Sequence, residues 1–214
     1  MRDAESHSLR LLPILLLLGL LSIAAIALSI ATGSLRIDAA QLLEVILGGG
    51  DPLHRTLIIE LRLPRSLAAF ATGGLLAVAG ALMQVLLRNP LADPYVLGLS
   101  GGAAVGALSA MLAGLGTAVI SGSAFVGAIV SAITVFTLAH GSGSWTPTRL
   151  LLTGVVIAAG WGAVVTFMLA IAPSENLPGM LFWLMGDLAY ARSPWPALST
   201  LLLISVLLIP LGRS

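Results

Sequence analysis

The chain has 214 residues, of which 58% are apolar and 9% charged, with a mean hydropathy of +1.07 and a formal net charge of +1. Soluble domains carry about 25% charged residues, so this composition excludes a soluble enzyme or a nucleic-acid binder and places the chain in a lipid bilayer. Lysine is absent, which excludes a P-loop ATPase, and cysteine is absent, which excludes disulfides, thiolate metal sites and Cys nucleophiles. The three histidines, His7, His54 and His140, lie far apart, and neither a metal site nor a cofactor is expected.

A hydrocarbon core about 30 Å thick needs roughly 20 helical residues, and charge-free apolar runs of that length mark the expected spans. The first is Leu11–Thr32, with Pro13 at its start. It is longer than the core of a signal peptide and further runs follow, so it reads as a retained helix. The connection Gly33–Arg65 is the longest and holds Arg36, Asp38, Glu44, Asp51, Arg55, Glu60, Arg62 and Arg65. Within it, Asp38 as N-cap and the glycines after Leu47 predict a short interfacial helix over Ala39–Leu47. Ser66–Leu87 is the second span. It is followed by Arg88-Asn89-Pro90-Leu91-Ala92-Asp93-Pro94-Tyr95, where two prolines forbid a continuous helix. Asn89 and Asp93 are suited to capping backbone groups in that bend, which reads as a rigid structural turn.

Between Asp93 and Arg149 there is no Asp, Glu, Lys or Arg. A break between Gly114 and Ser123 divides this stretch into a hairpin of Val96–Leu115 and Ala118–Ala139. Leu150–Ala172 is the fifth span. In Ser174–Arg192 the moderately apolar Gly179–Gly186 predicts a short helix that enters the interface without crossing. Trp195–Gly212 is the sixth span. The expected fold class is an all-α polytopic transmembrane helical bundle.

Small residues recur at a spacing of four in Gly98, Gly102 and Gly106 and in Gly154, Ala158 and Gly162. Such ladders let helix backbones approach closely in lipid, and they read as packing. Orientation does not follow from the arginines. With the N-terminus inside, Arg2, Arg10, Arg88, Arg149 and Arg213 fall on one side and Arg36, Arg55, Arg62, Arg65 and Arg192 on the other. None of the six runs contains Asp, Glu, Arg or His, which argues against an intramembrane enzyme and against a proton-coupled carrier.

The segment Arg62–Ala107 is specific. It carries Arg62-Leu63-Pro64-Arg65, then Gln84 followed by Arg88-Asn89-Pro90-Leu91-Ala92-Asp93-Pro94, then Leu97-Gly98-Leu99-Ser100-Gly101-Gly102-Ala103. Thr148-Arg149-Leu150-Leu151-Leu152-Thr153-Gly154 and Trp183-Leu184-Met185-Gly186 continue the pattern. Together these resemble the FecCD-type permease subunits of ATP-binding-cassette importers for ferric siderophores, haem and cobalamin, along essentially the whole chain.

The resemblance implies a bacterial inner-membrane permease with a cytoplasmic N-terminus and the first long connection in the periplasm. It implies that Arg62 and Arg65 receive acidic residues of a periplasmic substrate-binding protein. The residues alone leave snorkelling of these arginines at a helix end equally open. By the same resemblance the Arg88–Tyr95 turn is cytoplasmic, with a place at the pathway mouth as the alternative to a purely structural turn. Thr146, Pro147 and Thr148 align with the family's cytoplasmic gate. The family fold has ten helices, so residues 1–214 are expected to be a single permease domain, C-terminally incomplete and inactive alone. The expected partners are an ATPase subunit, the binding protein, a second permease copy and the bilayer. The expected cargo is an iron–siderophore-type chelate, with haem and cobalamin open. The alternative is a secondary carrier for a small hydrophobic or neutral solute.

Overall fold

The computed structural model describes residues 2–33, 35, 37–140, 146–188 and 193–208, with side chains from residue 12 onward. Arg36, Arg192, Arg213, residues 141–145 of the gate connection and residues 209–212 of the sixth span lie outside the described residues, as do the side chains of Arg2 and Arg10.

All regular structure among the described residues is helical. In chain order the elements are α1 (Arg2–Ala31), α2 (Ala39–Ile46), α3 (Pro52–Arg55), a π-helical segment (Thr56–Arg62), α4 (Leu63–Leu87), a 3₁₀ turn (Pro94–Leu97), α5 (Leu99–Leu112), α6 (Thr117–His140), α7 (Pro147–Ile171), α8 (Leu177–Met185) and α9 (Trp195–Leu208). Four stretches are long and apolar enough to cross a membrane: Leu12–Ala31, Pro52–Leu87, Thr117–His140 and Pro147–Ile171. The other two expected spans are shorter apolar helices, α5 and α9, of 14 residues each.

Several boundaries differ from the sequence reading for local reasons. The second span does not begin at Ser66. Helix runs unbroken from Pro52 to Leu87, 36 residues, or roughly 50 Å at about 1.5 Å per residue. Arg55, Glu60 and Arg62 end an apolar run, but a helix that projects beyond lipid tolerates charge. Asp51 opens it by accepting the Leu53 N–H at 2.8 Å, with Pro52 at the first helical position. The π turns fall just before Pro64, whose missing N–H interrupts an α-helical ladder. The third helix starts at Leu99 and not Val96, because Pro94–Leu97 forms the 3₁₀ turn and Gly98 takes a left-handed φ of 67°. It ends at Leu112, with Gly114 at φ 68°, so Ser121–Gly122–Ser123 lies inside α6 and not in the loop. The short helix expected after Asp38 forms over Ala39–Ile46 with a reciprocal capping box between Asp38 and Gln41. The short helix expected near Gly179–Gly186 is α8, closed by Gly186 at φ 81°.

The chain divides into two compact units, residues 1–75 with 188–214 and residues 76–187. The first gathers Ile30, Ile37, Val45 and Ile58 into a buried cluster, with Ile26, Leu42 and Leu63 against it. The second is built on α5, α6 and α7. Met83, Leu87, Leu97, Val135, Ala139 and Leu150 form one buried cluster, and Leu108, Met168 and Met180 form another beneath α8.

In the second unit glycine sets the helix spacing. A Cβ on Gly102 would lie 2.5 Å from the Gly127 carbonyl oxygen, and one on Gly127 would strike the Gly102 carbonyl in return. One on Gly106 would strike the Ser123 carbonyl, and one on Gly154 would lie 2.6 Å from the Val96 carbonyl oxygen. Gly98 abuts the Ala158 backbone. Gly162 faces open space and takes no part in this packing. Gly102→Val is therefore expected to cost about 1–3 kcal/mol through overpacking, read as a lowered Tm in detergent. Gly162→Ala should leave the Tm unchanged.

Candidate functional site

At the end of α1 the last carbonyls lose their helical partners. Thr32 contributes both its N–H (2.9 Å) and its hydroxyl (2.8 Å) to the Leu28 carbonyl. The Ala31 carbonyl accepts the Ile37 N–H at 3.4 Å. The Ile30 carbonyl is met by Arg62 from the end of the π segment. Arg62 Nη1 donates to Ile30 O at 2.6 Å and to Ala31 O at 3.5 Å, and Nη2 donates to Leu35 O at 2.5 Å. The α1 last turn carries no basic residue of its own, so Arg62 supplies the cation that a helix C-terminus favours. Arg62 is half-buried, whereas Arg65, one turn further on, is exposed. Beside them Ser29 and Ser66 share a hydroxyl–hydroxyl hydrogen bond of 2.9 Å. Ser29, Thr32, Arg62, Arg65 and Ser66 thus line one open polar cleft of about 320 Å³. It offers guanidinium and hydroxyl donors at the end of two apolar helices, a chemistry that suits carboxylates.

The Arg88–Tyr95 turn is held by its own side chains. Asn89 Oδ1 accepts the Leu91 N–H at 2.9 Å, and Asp93 Oδ1 accepts the Tyr95 N–H at 2.8 Å. Arg88 takes a left-handed φ of 48° as α4 ends, and Pro94 opens the 3₁₀ turn. Pro90 lies at the tip, where Leu91 is 88% exposed. At the start of α7, Thr146 is the N-cap and its hydroxyl accepts the Arg149 N–H at 3.3 Å, with Pro147 at the first helical position. Thr148 follows on the exposed first turn. The turn and the start of α7 share one apolar cluster: Leu87 and Leu150 are buried members of it, and Ala92 packs against it. The structure therefore brings two of the expected motifs together.

One polar feature escaped the sequence reading. Ser131 of α6 is fully buried and donates to the Gly98 carbonyl at 2.9 Å, while Trp161 Nε1 of α7 donates to Ser131 Oγ at 2.9 Å. This chain ties the N-cap of α5 to α6 and α7. Its only sequence signal is one of three serines in the Ala118–Ala139 run and the single Trp of the Leu150–Ala172 run. Among the described residues no cluster of three His, Asp or Glu is placed to hold a metal.

The architecture defines a polytopic helical membrane protein whose described polar residues include helix caps, hydroxyls bonded back along their own helices, and a buried Ser131–Trp161 lock. Comparison with known proteins then places it. Residues 20–213 match the model of the FecCD transport family, and the chain belongs to that family. It is 40% identical over 172 residues to the ferric enterobactin transport system permease protein FepD of Escherichia coli K12, covering 79% of this chain and 51% of that protein. It is 37% identical over 200 residues to the achromobactin transport system permease protein CbrC of Dickeya dadantii, covering 91% and 57%. It is 34% identical over 199 residues to the vitamin B12 import system permease protein BtuC of Escherichia coli O127:H6, again covering 91% and 57%. The chain spans about half the length of the curated relatives it matches. A solved structure described as a metal-chelate type ABC transporter in an inward-facing conformation superimposes with a TM-score of 0.78 at 29% identity, over 93% of this chain and 62% of that one.

The buried lock makes a direct prediction. In a double-mutant cycle, Trp161→Phe and Ser131→Ala should show a coupling of about 0.6–1.7 kcal/mol, the range of interhelical hydrogen bonds in membranes, measured as unfolding free energy in micelles.

Proposed function

We propose that this chain forms part of the translocation pathway of an ATP-binding-cassette importer in the inner membrane. A separate ATPase subunit supplies the energy and a periplasmic binding protein supplies the cargo. The carrying observation is the match to the FecCD family over residues 20–213. The neighbouring structure, an ABC transporter, favours this reading over the gradient-driven carrier. No covalent chemistry is assigned to the chain, since its role is to pack helices that present alternative openings to a bulky solute.

In this reading α5, lengthened by the 3₁₀ turn, and α9 also cross the membrane, giving six passes with a cytoplasmic N-terminus. The α1–α4 polar cleft then faces the periplasm, and the Arg88–Tyr95 turn and Thr146–Thr148 face the cytoplasm. Arg65, exposed at the cleft, takes a carboxylate of the binding protein. An exposed ion pair of that kind serves orientation and encounter more than affinity. Thr146, Pro147 and Thr148 begin the helix nearest the cytoplasmic mouth, and the adjoining turn supports it. A second permease copy completes the pathway. The cargo class is a metal chelate, with iron–siderophore complexes preferred because two of the relatives named above serve siderophore transport systems.

The test is charge reversal in the full-length permease with its ATPase and binding protein. Arg65→Glu should reduce chelate uptake by at least tenfold, a loss of about 1.4 kcal/mol or more, at unchanged membrane abundance. Uptake equal to wild type would remove the docking assignment.

A further inference from the structure

We propose that α2 is a lipid-facing anchor, whose outward apolar face of Ala39, Ala40, Leu43, Ile46 and Leu47 lies in the headgroup–acyl boundary of the bilayer beside the end of α1. This rests on the reading that α1 crosses the membrane. The surface belongs to no part of the transport pathway proposed above.

Helix geometry defines the face. At about 100° per residue, Ala39, Ala40, Leu43, Ile46 and the C-cap Leu47 fall within an arc of about 120°, while Gln41, Leu42 and Val45 fall outside it. The side that holds Leu42 and Val45 is the one the protein covers. Val45 is buried with Ile30, Ile37 and Ile58, and Leu42 packs against that cluster. The arc is left open. Leu43, Ile46 and Leu47 are 56%, 69% and 77% exposed, and both alanines are exposed. Glu44 is the one charged residue of the helix, and it stands beyond the edge of the arc. A Cβ on Gly49 would lie 3.4 Å from Glu44 Cγ, and one on Gly50 would lie 3.0 Å from Val45 Cγ2. The glycine turn thus folds back along the Glu44 and Val45 side, away from the arc.

Placement supplies the occupant. The cluster that holds Val45 also contains Ile30, in the last turn of α1, and Ile37, whose N–H bonds the Ala31 carbonyl at 3.4 Å. One layer of side chains therefore joins α2 to the end of a helix long and apolar enough to cross a membrane. Leu28, one turn before that end, is 64% exposed in the same way. The level of α2 is the rim of the hydrocarbon.

The chemistry of the arc agrees. It is wholly aliphatic, with no aromatic ring, arginine or hydrogen-bonding side chain. Protein interfaces are anchored by aromatic residues and Arg, whereas a lipid boundary asks for apolar surface at the right depth. A helix apolar on two sides is covered on two sides. Here the protein core covers one and lipid the other.

The experiment uses the full-length permease in nanodiscs. Residues 1–214 contain no cysteine, and any beyond them is replaced. Single variants Ala40→Cys, Leu43→Cys, Glu44→Cys, Ile46→Cys and Leu47→Cys each carry one nitroxide, and Leu28→Cys serves as the lipid reference. Collisions with oxygen, which partitions into lipid, and with a water-soluble nickel chelate are read by EPR power saturation, with and without the substrate-binding protein. Labels at 40, 43, 46 and 47 should show high oxygen and low nickel access, as at 28, and the label at 44 should show more nickel access than any of them. Adding the binding protein should change none of the four.

Low access to both reagents at 43, 46 and 47 would overturn the proposal, because another part of the permease or a second copy then covers the face. High nickel access there would overturn it in favour of water. A fall in oxygen access on adding the binding protein would overturn it in favour of a docking surface. Nickel access at 28 would instead remove the membrane reading of α1, and the anchor with it.

Discussion

A peptide group in lipid has no water to turn to, and every feature of this chain answers that constraint. Helix satisfies the interior of each apolar run without reference to side chains. What remains are the first N–H groups and last carbonyls of each helix, and there the few polar residues collect. Asp38, Asp51 and Thr146 take the free N–H groups at helix starts, and Asp93 does the same for the 3₁₀ turn. Thr32 and Arg62 take the free carbonyls at the end of α1. Among the described residues, hydroxyls inside helices such as Ser109 and Thr134 instead donate back to carbonyls of their own helix.

The second unit shows the other half of the same physics. Lipid tails are as apolar as leucine, so no hydrophobic force draws one span to another. Close approach has to come from shape. Gly102 and Gly127 bring two backbones to the distance at which even a methyl group would collide. Ser131 then links the Gly98 carbonyl and the Trp161 indole across three helices. The buried hydroxyl and the glycine seam act together, the one fixing rotation and the other fixing distance. A bundle held by shape and one buried lock needs no intramembrane charge.

Function in such a molecule belongs to the ends of helices. The motif Arg62-Leu63-Pro64-Arg65 reads in sequence as a pair of equivalent cations. In three dimensions the two differ in burial: Arg62 is half-buried with its guanidinium on the carbonyls at the end of α1, and Arg65 is exposed. The Arg88–Tyr95 turn and the start of α7 are far apart in the chain, yet they meet over Leu87, Ala92 and Leu150.

Much was legible without coordinates, for a clear reason. Local chemistry determined the capped helix after Asp38, the proline-bounded turn at Arg88–Tyr95, the short helix α8 and the all-helical class, since each depends on neighbours in the chain. The family was legible too, because its motifs are long and ordered. Hydropathy misplaced the start of the second helix: it sees where apolar residues stop, and α3 and the π segment extend helix into charged sequence from Pro52 onward. It also could not see that α5 is shortened by a left-handed Gly98, a choice made where that residue meets the Ala158 backbone. Only tertiary structure could assign Arg62 to carbonyls about thirty residues earlier, pair Trp161 with Ser131, and separate the packed Gly102 from the open Gly162. Those outcomes depend on distances between helices, and a periodicity along one helix carries no information about the backbone that faces it.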